Sequence, residues 1–225
     1  MQVKKYRSEL VSVQNPFAGI IRLEFKSLDG KFKYHPGQFL HIAIDPDFDG
    51  TGQWPESRCF SMQSNPDKEN ICITYAVKGK FTNKMKEVLK VGSEAWLKLP
   101  YGDLFTQPHN KVNTVFIAGG TGITPFISLF THDSFKEYKN PRIYLGFKNH
   151  EYNIYNTELA LVKSCNPKIF YENKEGLIDI NLIFEENGKD KDYFISGPPK
   201  MISVFRQSLV IKGVRKDHIL VDEWE

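Results

Sequence analysis

The chain has 225 residues, of which 40% are hydrophobic and 25% charged, enough for one large folded domain or two of about 110 residues each. A net charge of +3 is too mild to argue for nucleic acid and is compatible with an acidic protein partner. Cys59, Cys72 and Cys165 lie far apart with no CxxC pair, and the six histidines form no HxxxH pattern. A disulfide framework, a thiolate-held iron–sulfur cluster and a metal site are therefore not expected. The cysteine usage suits the reducing cytoplasm, where the protein is expected.

The N-terminus "MQVKKYRSEL" has no apolar signal core. Apolar and polar residues alternate through "RSELVSVQ" and "GIIRLEFKS", with "NPFAG" as the expected turn between two strands. "PGQFLHIAI" reads as a third strand after a Pro-Gly corner, and "DPDFDGTGQWPE" as a loop rich in turn formers. "SRCFSMQS", "NICITYAV" and "SEAWLKLP" complete about six short strands, with a small helix at "TNKMKEVLK". This pattern predicts a closed antiparallel barrel over residues 1–107.

"YGDLFTQPHNK" marks a change of character, and a domain boundary is expected at Gln107–Lys111. Beyond it, apolar runs alternate with helical segments: "TVFIAG" with "TPFISLFTHDSFKEY", "RIYLGF" with "NTELALVKS", "KIFY" with "IDINLIFEE", "DYFISG" with "PKMISVFRQSLVIK", then "HILVDEW". Alternation of this kind predicts a parallel α/β domain over 111–225. Val112–Thr131 carries no charge and is nearly long enough to span a bilayer, but its central glycines and Pro125 read better as strand, turn and helix, so no membrane span is expected.

Three stretches carry chemistry. In "VFIAGGTGITPF", a strand runs into Gly119, Gly120 and Gly122, and Pro125 can open the next helix. Such a turn lets a phosphate approach backbone N–H groups at a helix start, although alone it reads equally as a tight turn. Pro125 stands where the last glycine of GxGxxG would be. "FISGPPKM" is a second strand ending in an abrupt corner, and alone is a simple breaker. "VKGKFTNKM" puts Gly79 and Thr82 at a helix start among lysines, a possible phosphate seat or merely a solvated face. In "SRCFS", alternation puts Arg58 and Phe60 on one face of a strand, Cys59 and Ser61 on the other.

Taken in order, Arg-x-aromatic-Ser in a barrel, a Gly-x-x-Thr helix start, "LPYGDLF", "GTGITP" and "GPPKM" resemble the ferredoxin–NADP⁺ reductase superfamily over essentially the whole chain. The resemblance implies a flavoprotein oxidoreductase that takes hydride from NADH or NADPH into bound FAD (FMN is the lesser candidate) and passes electrons to a separate acceptor. That acceptor would be a ferredoxin, a flavodoxin or an oxygenase component. A diaphorase-like reductase of small molecules and an electron-transfer subunit of a larger complex stand as alternatives. No segment reads as a fused ferredoxin, haem domain or membrane anchor.

By the same resemblance, Arg58 pairs with the flavin diphosphate, Phe60 packs on the flavin, and Ser61 hydrogen-bonds near its reactive nitrogen. Cys59 belongs to the same strand. Tyr75, Ala76 and Val77 run beside the flavin through their backbones, while Gly79, Phe81 and Thr82 hold the diphosphate. Thr121 and Thr124 would face the flavin. Gly120, Gly122, Gly197, Pro198 and Met201 would shape the dinucleotide cleft. Ser196, where the family often has cysteine, would sit by the nicotinamide, and Trp224 would cover the flavin face. In "KIFYENKEG", Glu172 and Asn173 take the places where relatives that prefer NADPH hold the 2′-phosphate, which points to NADH.

Overall fold

The computed structural model describes residues 1–222, and the chain divides into two compact units, Met1–Asp103 and Leu104–Glu225. Trp224, expected over the flavin, lies outside the described residues.

The first unit is one antiparallel sheet of six strands: β1 (Lys4–Phe17), β2 (Ile20–Ser27), β3 (Phe39–Ala43), β4 (Ser57–Ser61), β5 (Ile71–Ala76) and β6 (Glu94–Tyr101). Their order is β4-β3-β6-β1-β2-β5. Alternation sets the faces: Tyr6, Ser8 and Leu10 of β1 are buried while Arg7 between them is exposed and pairs with Glu94. Beyond the ends of the ladder the two edge strands meet. The Gln63 N–H donates to the Cys72 carbonyl at 2.8 Å, and the Thr74 hydroxyl donates to Gln63 Oε1 at 2.6 Å. A barrel results, and the helix α1 (Lys80–Val88) covers its core with Phe81 and Met85.

Two expectations are corrected here. "NPFAG" is not a five-residue turn: β1 runs on to Phe17, and the turn shrinks to Ala18 and Gly19. A register shift between Gln14 and Phe17 accommodates Pro16, which has no N–H for the ladder. The small helix starts at Lys80, immediately after Gly79, rather than at Thr82.

The second unit is a parallel sheet of β7 (Thr114–Gly119), β8 (Arg142–Phe147), β9 (Lys168–Tyr171), β10 (Asp192–Ser196) and β11 (Ile219–Asp222), ordered β11-β10-β7-β8-β9. β10 and the first five residues of β7 are fully buried, as expected of strands covered on both faces. One face packs Phe116, Phe126 and Phe194, and the other Val115, Ile117, Tyr193 and Ile195. The helices are α2 (Thr124–Phe130), α3 (Asn156–Ala160), α4 (Glu172–Glu175), α5 (Ile180–Asn187) and α6 (Pro199–Ile211). The chain builds β7, β8 and β9 in one direction, then crosses to β10 and β11 on the other side. That reversal creates a switch point between β7 and β10, at whose carboxyl ends open α/β sheets bind ligands.

The uncharged run 112–131 is β7, a 3₁₀ turn and α2, and among the described residues no helix is long and apolar enough to cross a membrane. The boundary falls earlier than Gln107–Lys111 because Leu104 and Phe105 pack into the second unit's core.

Candidate functional site

A cleft of about 430 Å³ opens over the carboxyl ends of the second unit's strands. Gly119 and Gly120 form its edge at β7, Gly146, Phe147 and Lys148 at β8, Phe170 and Glu172 at β9, and Pro198, Lys200 and Met201 after β10. Four of the expected residues therefore converge: Gly120, Glu172, Pro198 and Met201. The two glycine turns pack back to back. A Cβ on Gly122 would lie 2.4 Å from Gly197 Cα, so Gly122 is a spacer between turns rather than a wall of the cleft. Gly197 has φ +154°, and a Cβ there would meet Met201 Cε at 2.6 Å. Its bare backbone is what lets Met201 reach over the turn.

The other expected residues of this unit hold the turn together. Thr124 is buried and donates its hydroxyl to the Thr121 carbonyl at 3.0 Å. Ser196 is also buried, donates to Asp222 Oδ2 at 3.1 Å and is not among the cleft residues. Gly146, Lys148, Phe170 and Lys200 were not anticipated. Gly146 had a signal, since the apolar run "RIYLGF" carries a glycine next to its end, much as "TVFIAG" ends in one. A Cβ there would strike Ile178 Cδ1 at 2.7 Å, so its absence lets Ile178 floor the cleft.

In the first unit, the guanidinium of Arg58 lies 4.9 Å from the centre of the Phe81 ring, beside the start of α1. Its hydrogen bonds are local, to the Ser57 carbonyl at 2.7 Å and to exposed Glu56 at 3.1 Å. The first turn of α1 has no acidic residue and no side-chain cap on its N–H groups, and the space beside Gly79 is open. Unfilled helix N–H donors, an open glycine and an adjacent arginine form an anion seat. The Thr82 hydroxyl accepts the N–H groups of Lys78 and Gly79, both at 3.0 Å, and donates to the Gly79 carbonyl at 3.1 Å. It therefore shapes the seat instead of reaching into it.

Phe60 is half-buried with its ring 5.5 Å from that of Tyr75, while Ser61 is buried. Cys59 lies on the other face, its sulfur 3.5 Å from His41 Nε2, and burial pushes its thiol pKa up. β5, carrying Tyr75 and Ala76, is an edge strand laddered only to β2, and the Val77 N–H is taken by the Gly19 carbonyl at 2.8 Å. These features fit a flavin dinucleotide. Arg58 and the α1 start suit its diphosphate, and Phe60 offers an apolar surface for its ring.

The arginine-flanked helix start on the barrel and the cleft on the parallel sheet together suit a flavin and a nicotinamide dinucleotide, the pairing a flavin-dependent oxidoreductase uses. No protein-family profile matches the chain. Among curated proteins, the reductase component of propane 2-monooxygenase from Mycolicibacterium smegmatis is 27% identical over 244 residues, covering 99% of this chain and 68% of that protein. Flavohemoprotein A of Dictyostelium discoideum is 27% identical over 90% of this chain, which spans 56% of its length. Among solved structures, a ferredoxin NADP⁺ reductase from Neisseria gonorrhoeae with bound FAD and NADP superposes with a TM-score of 0.76 at 17% identity, over 93% of this chain and 92% of that one. Along nearly its whole length the chain is thus similar to ferredoxin reductase-type oxidoreductases.

Proposed function

We propose that this chain is the reductase of an oxygenase system, oxidising NADH on FAD and delivering electrons to a separate oxygenase component or small carrier protein. The observation that carries this reading is the cleft at the carboxyl ends of β7–β10, glycine-edged and apolar-floored, in the same chain as an arginine-flanked anion seat. Coverage of 99% of the chain by a monooxygenase reductase component supports it. FAD, when bound, supplies the chemistry of accepting a hydride and releasing electrons singly.

The side chains perform binding and placement. Arg58 and the first-turn N–H groups of α1 neutralise the diphosphate. Phe60 keeps water from one side of the ring. Gly119 and Gly120 admit a dinucleotide backbone close to the end of β7, and Pro198 and Met201 wall it in. Because hydride carries its own electron pair, no side chain has to act as general acid or base. The three free cysteines accord with a reducing, cytoplasmic setting.

Anaerobic addition of NADH to the flavin-loaded protein should bleach its visible absorbance. A protein that carries flavin yet stays coloured with both NADH and NADPH is not a reductase. Purification with a stoichiometric partner would move the reading to a subunit of a fixed complex. Fast reduction of quinones or free flavin, with no transfer to any carrier protein, would move it to a diaphorase.

Glu172 lines the cleft at the end of β9. A carboxylate there accepts hydrogen bonds from a ribose 2′-hydroxyl and repels a 2′-phosphate. Lys148 and Lys200 line the same cleft and attract phosphate of either cofactor. The expected outcome is a kcat/KM for NADH at least about tenfold above that for NADPH, narrowed by Glu172→Gln. Steady-state kinetics favouring NADPH in the unaltered protein would reverse the assignment.

A further inference from the structure

We propose that the outer face of α1 is the docking surface for a small acidic electron-carrier protein. The proposal rests on the reading of this chain as a flavin reductase with a separate acceptor, and adds the chemistry of that acceptor and the place where it sits.

Residues 78–93 hold five lysines and a single acid, Glu87. The whole chain has a net charge of only +3, so this stretch exceeds it and the remaining residues are, in sum, slightly acidic. Folding sharpens the contrast. Phe81, Met85 and Leu89 turn inward to the barrel core, while Lys78, Lys80, Lys84, Lys86 and Lys90 are all exposed. Among the described residues none of the five is held in an ion pair. Lys90 donates to the Lys86 carbonyl at 3.3 Å, a neutral partner that leaves its charge uncompensated. The complement of such a face is an acidic surface.

Two further observations make that surface a protein's. Val88 and Val91, beside the lysines, are 45% and 65% exposed, which adds apolar contact to a charged rim, the make-up of a protein–protein interface. Both are too few to insert into a bilayer, since a helix that lies on a membrane presents its whole apolar side outward, and here that side is in the core. Position supplies the reason for docking. α1 begins beside Arg58 and the open Gly79, the seat assigned to the flavin diphosphate. Its nine residues span about 14 Å, so a carrier held anywhere along it lies next to the cofactor. Lys78 and Lys80 flank the seat itself, which leaves Lys84, Lys86 and Lys90 to the partner. Like charges gathered there also steer an acidic carrier to this side of the barrel.

The test uses the flavin-loaded protein, NADH and three acceptors under anaerobic conditions: a 2Fe–2S ferredoxin of net negative charge, the basic carrier cytochrome c, and menadione, which is uncharged and needs no docking surface. The variant is Lys84→Gln with Lys86→Gln and Lys90→Gln. Its control is Lys163→Gln with Lys189→Gln and Lys216→Gln, which removes the same charge from exposed positions of the second unit. At low salt the α1 variant should raise the KM for ferredoxin by about tenfold, lower that for cytochrome c, and leave menadione turnover and the KM for NADH as in the parent. The parent's kcat/KM for ferredoxin should fall between about 20 and about 300 mM salt, and the α1 variant should flatten that dependence. The control should keep the parent's KM for ferredoxin. An unchanged KM in the α1 variant, an equal rise in the control, or a parent that reduces menadione but not ferredoxin would each overturn the proposal. So would unchanged ferredoxin kinetics together with α1-dependent binding to phosphatidylserine vesicles, which would give the face to a membrane. A parent that fails with menadione as well would sink the reductase reading itself.

Discussion

Arg58→Ala is expected to weaken FAD binding by about tenfold to a hundredfold while the barrel stays folded. The magnitude follows from losing a charge-assisted contact to a diphosphate, about 1.5–3 kcal/mol. The side chain is half exposed, and among the described residues it hydrogen-bonds to the neighbouring Ser57 carbonyl and to exposed Glu56. A surface ion pair of that kind contributes about 0–1 kcal/mol, so neither folding nor the free protein should suffer much. What the free protein does supply is placement. The guanidinium is held over the Phe81 ring, beside a helix start that has no side-chain cap among the described residues. Arg58→Lys keeps the charge but loses the planar fork and its stacking on Phe81, so it should recover only part of the affinity. FAD titration of the deflavinated protein by fluorescence quenching, with circular dichroism for the fold, measures both. An Arg58→Ala protein that binds FAD as tightly as the parent would move the diphosphate elsewhere.

The anion seat and the cleft were legible to different degrees, for a physical reason. Gly79, Arg58 and the turns at 119–122 and 197–199 announce themselves locally, because glycine and proline act on the backbone where they stand. Lys148, Phe170 and Lys200 belong to three different strand ends, and only the order β10-β7-β8-β9 brings them to one opening. Without that order each is one more lysine or aromatic. The domain boundary was hidden for a similar reason. Gly102, Pro108 and their polar neighbours point to a boundary at 107–111, yet Phe105 packs at 5.2 Å from the Phe194 ring and 5.9 Å from Phe126. The loop "DPDFDGTGQWPE" likewise read as polar turn, while its Phe48 and Trp54 form an aromatic cluster with Trp96. The Trp96 indole donates to the Phe48 carbonyl at 2.8 Å. Gly50, at φ +92°, leaves room for the Trp96 ring, which a Cβ would meet at 2.3 Å. Aromatic anchoring of a loop depends on distant partners, and periodicity carries no trace of it.

Gly122→Ala should be the most damaging single methyl in the second unit. Its Cβ would lie 2.4 Å from Gly197 Cα, 2.5 Å from Gly197 N and 2.7 Å from the Ser196 carbonyl carbon. All three are backbone atoms, so no side-chain rotation relieves the clash, and the turns after β7 and β10 must separate. Overpacking of this kind costs about 1–3 kcal/mol, and a loss near the upper end would lower the Tm of a unit this size by roughly 10 °C. Both turns border the dinucleotide cleft, so the KM for NADH should also rise, by about tenfold or more, while FAD loading on the separate barrel unit holds. Two neighbours serve as controls for the cause. The three atoms nearest a Cβ on Gly119 all belong to side chains, Met201 Sδ at 2.8 Å, Pro198 Cδ at 3.2 Å and Met201 Cε at 3.4 Å, and the closest of them is on a flexible methionine that can withdraw. Gly120→Ala meets nothing within 4 Å but sits at φ +56°, a left-handed conformation costing about 1–2 kcal/mol for an alanine. The expected order of damage is Gly122 first, with Gly119 and Gly120 well behind, read by thermal unfolding and NADH kinetics on the three variants. If Gly122→Ala unfolds and turns over like the parent, the two turns are not in contact and the spacer role assigned to Gly122 is wrong.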